Sequence, residues 1–244
     1  TGPGPNPAAA GLGGDGWGVG VTAGLTWKPL QGTAIGLGYR SRIDQKLEGE
    51  YLGLPLPAAF LPIKTTVKLP DRLNLSIRQA MTPQFDLLGS VEWINWSRIG
   101  TSAVSGPGVA LVPASLRSVP LEYKDGWMFS LGGEYRWDQN LTLRAGLAYE
   151  ISPITTAVRT TRLPDNDRFW LSAGLSYQIT DRITINASYA HVFVREADIR
   201  TTGVFGPAYV GQAKAHSDVF SLGFTTRWTD PAPAALPRTV VRKG

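Results

Sequence analysis

Hydrophobic and polar residues alternate strictly along most of this chain. From Trp17 to Trp27 every second residue is apolar, and the residues between them are glycine or threonine. A period of two is that of a β-strand with one apolar and one polar face. The pattern recurs eight more times, over residues 34–40, 72–78, 85–93, 127–137, 141–150, 169–177, 182–189 and 220–228. The alternation therefore predicts an all-β, antiparallel chain of about nine strands.

Two details favour a transmembrane β-barrel over a soluble sandwich, which also alternates. The apolar faces carry Trp or Tyr near their ends and aliphatic residues between them, as at the two interfaces of a membrane. The polar faces carry charged residues in mid-strand, and these are Arg78, Glu92, Glu134 and Arg144. Charges at such positions suit a water-filled lumen.

The lengths of the connections also alternate. Short connections are expected at 29–32, 81–84, 137–140 and 179–182, and long ones at 49–69, 100–124, 158–167 and 197–215. Outer-membrane barrels have short periplasmic turns and long extracellular loops. With nine strands, residues 1–16 would then be part of an extracellular loop, and 17–228 would form strands and loops. Because bacterial barrels usually have an even strand number, the chain is expected to be the C-terminal part of one. Residues 229–244 form a Pro/Ala-rich tail.

Composition narrows the class of protein. The chain contains 43% hydrophobic residues and no apolar run of about 20 residues, which a spanning helix would need. Its net charge is +5, but the basic residues are scattered, so a nucleic-acid partner is not expected. The absence of cysteine excludes disulfide scaffolds and thiolate zinc sites.

Several motifs together resemble the FadL-type transporters of the bacterial outer membrane. The most specific is LPDNDRFWLSAG at 163–174, preceded by LRAG at 143–146, and WINWS at 93–97 and GWG at 16–18 add to it. The resemblance implies a monomeric 14-stranded barrel with an N-terminal hatch, of which this chain resembles the last nine strands. It also implies capture of a hydrophobic ligand among extracellular loops, passage into the lumen and sideways release into the membrane.

The 49–69 connection is the best candidate for ligand contact, because it is apolar where an exposed loop should be polar. The candidate residues are Leu52, Leu54, Leu56, Phe60, Leu61 and Ile63. Alternatively, this connection caps the barrel or packs on its neighbours. Arg78 and Arg144 are candidates for attracting a carboxylate head group, and the alternative is a ladder of Arg–Glu pairs that braces the wall.

Catalysis is not expected. Ser188 and His191 are three residues apart on a strand and so point to opposite faces, while Asp165 and Asp167 suit turn formation better than calcium binding. We therefore predict no catalytic or metal site and no cofactor. The predicted function is passive transport of hydrophobic molecules, long-chain fatty acids before aromatic hydrocarbons, with membrane lipid and lipopolysaccharide as further partners. A non-transporting surface barrel and a porin for polar solutes are the alternatives.

Overall fold

The computed structural model describes residues 11–52, 61–111, 117–201 and 208–228, which form fourteen strands and two short 3-10 helices at Trp96–Ile99 and Pro107–Leu111. The strands are β1 Gly11–Asp15, β2 Thr22–Trp27, β3 Thr33–Arg40, β4 Ile43–Leu52, β5 Leu61–Leu69, β6 Arg72–Ala80, β7 Phe85–Ile94, β8 Thr101–Ser105, β9 Ser118–Pro120, β10 Gly126–Arg136, β11 Leu141–Ile151, β12 Arg168–Thr180, β13 Ile183–Thr201 and β14 Tyr209–Thr226. None of the helices in the described ranges is long and apolar enough to cross a bilayer.

Nine of these strands form one antiparallel sheet, in the order β2-β3-β6-β7-β10-β11-β12-β13-β14. Each strand pairs with the next wall strand along the chain, which is the up-and-down arrangement expected of a barrel wall. The predicted number of wall strands is confirmed. Among the described residues β2 and β14 each have a partner on one side only.

The two faces of this sheet differ as the alternation predicts. The apolar face stays open to the surroundings: Leu75, Leu131 and Phe224 are 51, 50 and 72% exposed. Such a broad exposed apolar surface indicates a lipid environment. Aromatic residues on this face lie near both ends of the strands. Trp27, Trp137 and Tyr177 are at one end, and Trp127, Tyr149 and Phe169 are at the other.

The connections confirm the expected asymmetry. The wall strands are joined at one end of the sheet by the turns 28–32, 81–84, 137–140 and 181–182. At the other end, β3 is followed in the wall by β6, β7 by β10, β11 by β12 and β13 by β14, with 31, 31, 16 and 7 residues between them. We assign the short end to the periplasm and the long end to the outside. The last long connection is shorter than the predicted 197–215, because β13 and β14 extend well beyond the other wall strands.

The prediction that the first wall strand begins at Trp17 is wrong. It begins at Thr22, because the preceding residues leave the wall: Val21 O still accepts a hydrogen bond from Ser41 N over 2.8 Å, but Gly18 and Gly20 lie against the side chain of Ile43. The alternation continues through this segment although the strand pairing does not.

The predicted 49–69 connection contains strands that the sequence analysis did not predict. Residues on both sides of its tip form the β4–β5 hairpin, which belongs to a second sheet with the order β1-β4-β5-β8-β9. In it β1, from the predicted loop at 1–16, pairs with β4 through Gly14 and Gly49. This second sheet is built from the outer connections, so it lies beyond the outer end of the wall.

Candidate ligand-binding surfaces

The β4–β5 hairpin has two chemically distinct faces. The register places apolar residues of both strands on one face, where Ile43 lies opposite Leu69 and Leu47 opposite Thr65. Ile63 on this face is buried at 7% exposure. The other face is exposed and charged, and its members are Asp44, Lys46, Glu48, Glu50, Lys64 and Lys68. An outer connection with one apolar face suits a hydrophobic ligand.

Polar contacts fix the hairpin to segments that adjoin the wall strands. Arg98 Nη2 donates to both carboxylate oxygens of Asp44, over 2.9 and 3.0 Å, and Gln45 Nε2 donates to Gly16 O over 3.1 Å. The hydrogen bond from Arg98 holds the pKa of Asp44 below its usual 3.8. Arg98 belongs to the helix that follows β7, so this ion pair connects the outer sheet to a membrane strand.

The predicted apolar ligand residues are only partly described. Ile63 lies on the apolar face of the hairpin and is buried there. Leu52 and Leu61 belong to β4 and β5, but their side chains lie outside the described part of the chain. Leu54, Leu56 and Phe60 lie outside the described residues altogether.

Arg78 and Arg144, the other predicted ligand residues, meet on the polar face of the wall near its periplasmic end. Glu134 joins them: Arg144 Nε donates to Glu134 Oε2 over 2.7 Å, and Arg78 Nη2 donates to Glu134 Oε1 over 3.1 Å. Arg78 and Arg136 also bind the Asp86 carboxylate, which is buried. The arrangement is the ladder of ion pairs given above as the alternative, with Asp86 as a buried member that the sequence analysis did not name.

A layer of small residues crosses the polar face farther from the periplasmic end. Two rows of cross-strand partners form it: Gly36, Ser76, Ser90, Ser130 and Ala148, and then Gly132, Gly146, Ser172 and Ala190. All of these residues except Ala190 border a trough of about 710 Å³, with Met128 and Trp170 also on its surface. Trp170 Nε1 donates to Glu150 Oε2 over 3.2 Å, which orients the indole.

The outer connection 152–167 is held in place by one buried arginine. Arg159, at 4% exposure, donates to the carbonyl oxygens of Asp165 and Asp198, over 2.7 and 2.9 Å. Asp165 accepts a hydrogen bond from Ser152 Oγ and Asp167 accepts one from Ser152 N, so both carboxylates hold the far end of this connection against its start. Arg159 lies in a connection outside the alternating strand pattern, so the sequence around it does not indicate that it is buried.

The comparisons with known proteins agree with this geometry. The sequence model of the family described as "Outer membrane protein transport protein (OMPP1/FadL/TodX)" matches residues 2–228. This chain belongs to that family. A long-chain fatty acid transport protein of Escherichia coli O6:H1 is 30% identical over 205 residues, which are 77% of this chain and 45% of the relative. A 47 kDa outer membrane protein of Pasteurella multocida is 29% identical over 214 residues, which are 82% of this chain and 49% of the relative.

Solved structures place the fold in the FadL/TodX family as well. A FadL homologue of Pseudomonas aeruginosa superimposes with a TM-score of 0.74 at 27% identity, covering 85% of this chain and 52% of that one. The toluene transporter TodX of P. putida gives 0.53 at 17% identity, covering 87% and 49%, which supports the fold alone. This FadL/TodX chain is thus an outer-membrane β-barrel protein, and it spans about half the length of these relatives.

Proposed function

We propose that the protein carrying this chain transports hydrophobic molecules passively across the outer membrane. The observation that carries the proposal is the apolar face of the β4–β5 hairpin, which includes Leu47 and Ile63 and lies in an outer connection. Ile63 is already covered in this structure, while Leu47 on the same face is only half-buried, and an acyl chain bound there would gain about 0.8 kcal/mol for each methylene it buries.

Capture would therefore take place at the hairpin. The proposed contacts are Ile63 together with the apolar residues at and beside the hairpin tip, namely Leu52, Leu54, Leu56, Phe60 and Leu61. The charged outer face of the same hairpin keeps it soluble, because Glu48 and Lys64 are exposed to water on that side.

 The ion pair of Lys64 Nζ with Glu48 Oε1, 2.8 Å apart, lies on this exposed face.

Passage through the barrel would follow the layer of small residues on the polar face. Gly132, Gly146 and Ser172 leave room beside the wall, and Met128 and Trp170 offer apolar contacts at the same trough. The resemblance to the family implies sideways release into the membrane after this passage. Such a route needs no chemical step, so the proposed activity is transport without catalysis.

A carboxylate head group would find its partners at Arg78 and Arg144. Both arginines are held by Glu134, yet their side chains remain 49 and 44% exposed on the polar face. A ligand carboxylate would share these cations with Glu134, since a guanidinium offers five N–H donors. This proposed role is compatible with bracing of the wall by the same residues.

Long-chain fatty acids are the favoured substrate. The relative from E. coli, at 30% identity, is named a long-chain fatty acid transport protein, whereas the toluene transporter shares only 17% identity with this chain. The arginines of the polar face would also have a partner in a fatty acid and none in toluene. Binding of outer-membrane lipid or lipopolysaccharide at the outer rim, by a monomeric barrel, completes the proposal.

Uptake of labelled oleate and labelled toluene by cells that depend on the complete protein tests the proposal. We expect oleate uptake, and we expect Leu54→Asp, Phe60→Asp and Leu61→Asp to abolish it. Unchanged uptake in these variants would exclude capture at the hairpin. A porin would instead admit small sugars in a liposome-swelling assay, and a purely structural barrel would show neither activity.

A further inference from the structure

Gly89 leaves a hollow in the lipid-facing surface of the wall. It lies midway along β7 at a position where the neighbouring strands present large side chains, directly opposite Ile77 of β6 and Leu131 of β10. The missing side chain opens an apolar groove of about 550 Å³. Its walls include Ile35, Leu75, Ile77, Phe129, Leu131 and Leu147.

The fold does not require glycine at this position. A Cβ atom at residue 89 would lie 3.5 Å from Ile77 Cγ2 and 3.8 Å from Ser130 O, which are ordinary contacts. Gly133 on the same face differs, because its Cβ would lie 2.8 Å from the ring of Phe85. Glycine within a strand lowers stability by roughly 0.5–1 kcal/mol relative to alanine. Because the fold could accept a larger residue here, the one structural consequence of Gly89 is the open groove.

The surroundings of the groove determine what can occupy it. Leu131, Leu147 and Leu171 continue its row across the sheet, so the groove is continuous with the lipid-facing surface. Toward the outer end it reaches Phe129 and Tyr149. The Tyr149 hydroxyl donates to Asp167 over 3.0 Å, which marks the polar boundary of the membrane there. The groove therefore lies in the outer half of the hydrocarbon layer.

We propose that this groove, from Gly89 to Tyr149, is a docking site for one acyl chain of an outer-leaflet membrane lipid. Lipid is already apolar, so the gain comes from packing rather than from the hydrophobic effect. A chain on a flat wall contacts protein on one side, whereas a chain in the groove also contacts Ile77 and Leu131 at its flanks. The site needs only the membrane setting of the wall and is independent of transport.

Native mass spectrometry of the complete protein, released from detergent with dipalmitoyl phosphatidylglycerol as the probe, tests the proposal. Gly89→Leu fills the groove and removes on the order of ten carbon–carbon contacts, so we expect about tenfold weaker retention of one lipid. Ala23→Leu is the matched control, because Ala23 is an exposed apolar-face residue of β2 outside the groove. It should leave lipid retention unchanged.

Gly89→Ala provides a second variant, since its Cβ meets only ordinary contacts, and it should give an intermediate effect. Gel mobility before and after heating verifies that each variant is folded. Equal lipid retention in wild type and Gly89→Leu would overturn the proposal, as would equal losses in Gly89→Leu and Ala23→Leu. Palmitate is a parallel probe: if Gly89→Leu weakens palmitate binding but not lipid binding, the occupant is free fatty acid and the assignment to membrane lipid is wrong.

Discussion

Arg144 donates from Nε to Glu134 Oε2 over 2.7 Å, between residues that lie directly opposite each other on β10 and β11. The other oxygen of Glu134 accepts a hydrogen bond from Arg78 of β6. One carboxylate therefore connects the two arginines proposed as ligand contacts. This relationship gives both arginines a structural partner in the absence of ligand. Bracing and ligand contact can be separated by removing the charge of Glu134.

Glu134→Gln should destabilise the wall by about 1–3 kcal/mol, because two arginines lose a charged acceptor at a mostly buried site. Unfolding by urea in lipid vesicles measures the change. If the arginines also contact the ligand carboxylate, oleate uptake should remain or increase, since both cations become more available. Loss of stability together with loss of oleate binding in folded protein would argue against the ligand role. Glu48→Gln, in an exposed ion pair, is the control and should have little effect on stability.

Ile63→Asp should greatly reduce the uptake of oleate, because it places a charge on the apolar face of the hairpin. Thr66→Asp is the matched control: Thr66 lies three residues away on the exposed face and should retain uptake. Initial rates of oleate uptake at equal surface expression provide the comparison. Equal losses in the two variants would mean that the hairpin tolerates no added charge, rather than that one face binds ligand.

The contact between Asp44 and Arg98 should depend on pH in the acid range only. Because the pKa of Asp44 is lowered below 3.8 by the hydrogen bond from Arg98, the contact stabilises the hairpin at every pH above that value. The stabilisation is lost as the pH falls through the lowered pKa. Hydrogen exchange in β4 should therefore be constant from neutral pH to about pH 4, after correction for the intrinsic rate, and should rise below it. Asp44→Asn should show faster exchange already at neutral pH, and a wild-type transition near neutral pH would contradict the assignment.

Arg159→Ala should destabilise the outer connection by about 3 kcal/mol, because carbonyl groups of three residues lose a buried charged donor. Proteolysis of the connection 152–167 in intact cells measures the effect, with Arg162→Ala as the exposed control. Arg159→Lys should restore only part of the stability, since an ammonium cannot reproduce the planar donor geometry. Equal cleavage in Arg159→Ala and Arg162→Ala would contradict the role of Arg159 in holding this connection.

The wall strands could be predicted from local sequence, because the alternation of lipid-facing and lumen-facing residues is complete within each strand. Residues such as Leu73, Leu75 and Ile77 alternate with Arg72, Asn74 and Ser76, and a strand that separates lipid from a lumen needs nothing more than this period. The same rule failed at Trp17, where alternation continues but pairing does not. Alternation describes the two environments of a strand and says nothing about whether a partner strand lies beside it.

The outer sheet was missed although its pattern is present in the sequence. Ile43, Gln45 and Leu47 alternate with Asp44 and Lys46, but their position between two wall strands favoured a loop. Only the tertiary structure pairs β4 with β1 from far upstream. A pattern within one short segment does not show which distant segment that strand will pair with.

The sequence by itself determined the nine wall strands, their two faces and the resemblance to FadL-type transporters, because each depends on residue order within a short segment. The tertiary structure decided which distant residues meet: Glu134 with Arg78, Asp44 with Arg98, and Arg159 with β13. It also decided that the missing side chain of Gly89 leaves a groove, since the groove consists of residues from neighbouring strands. The physical reason is that side-chain pairing across a sheet depends on register, and register is fixed by the whole fold rather than by one strand.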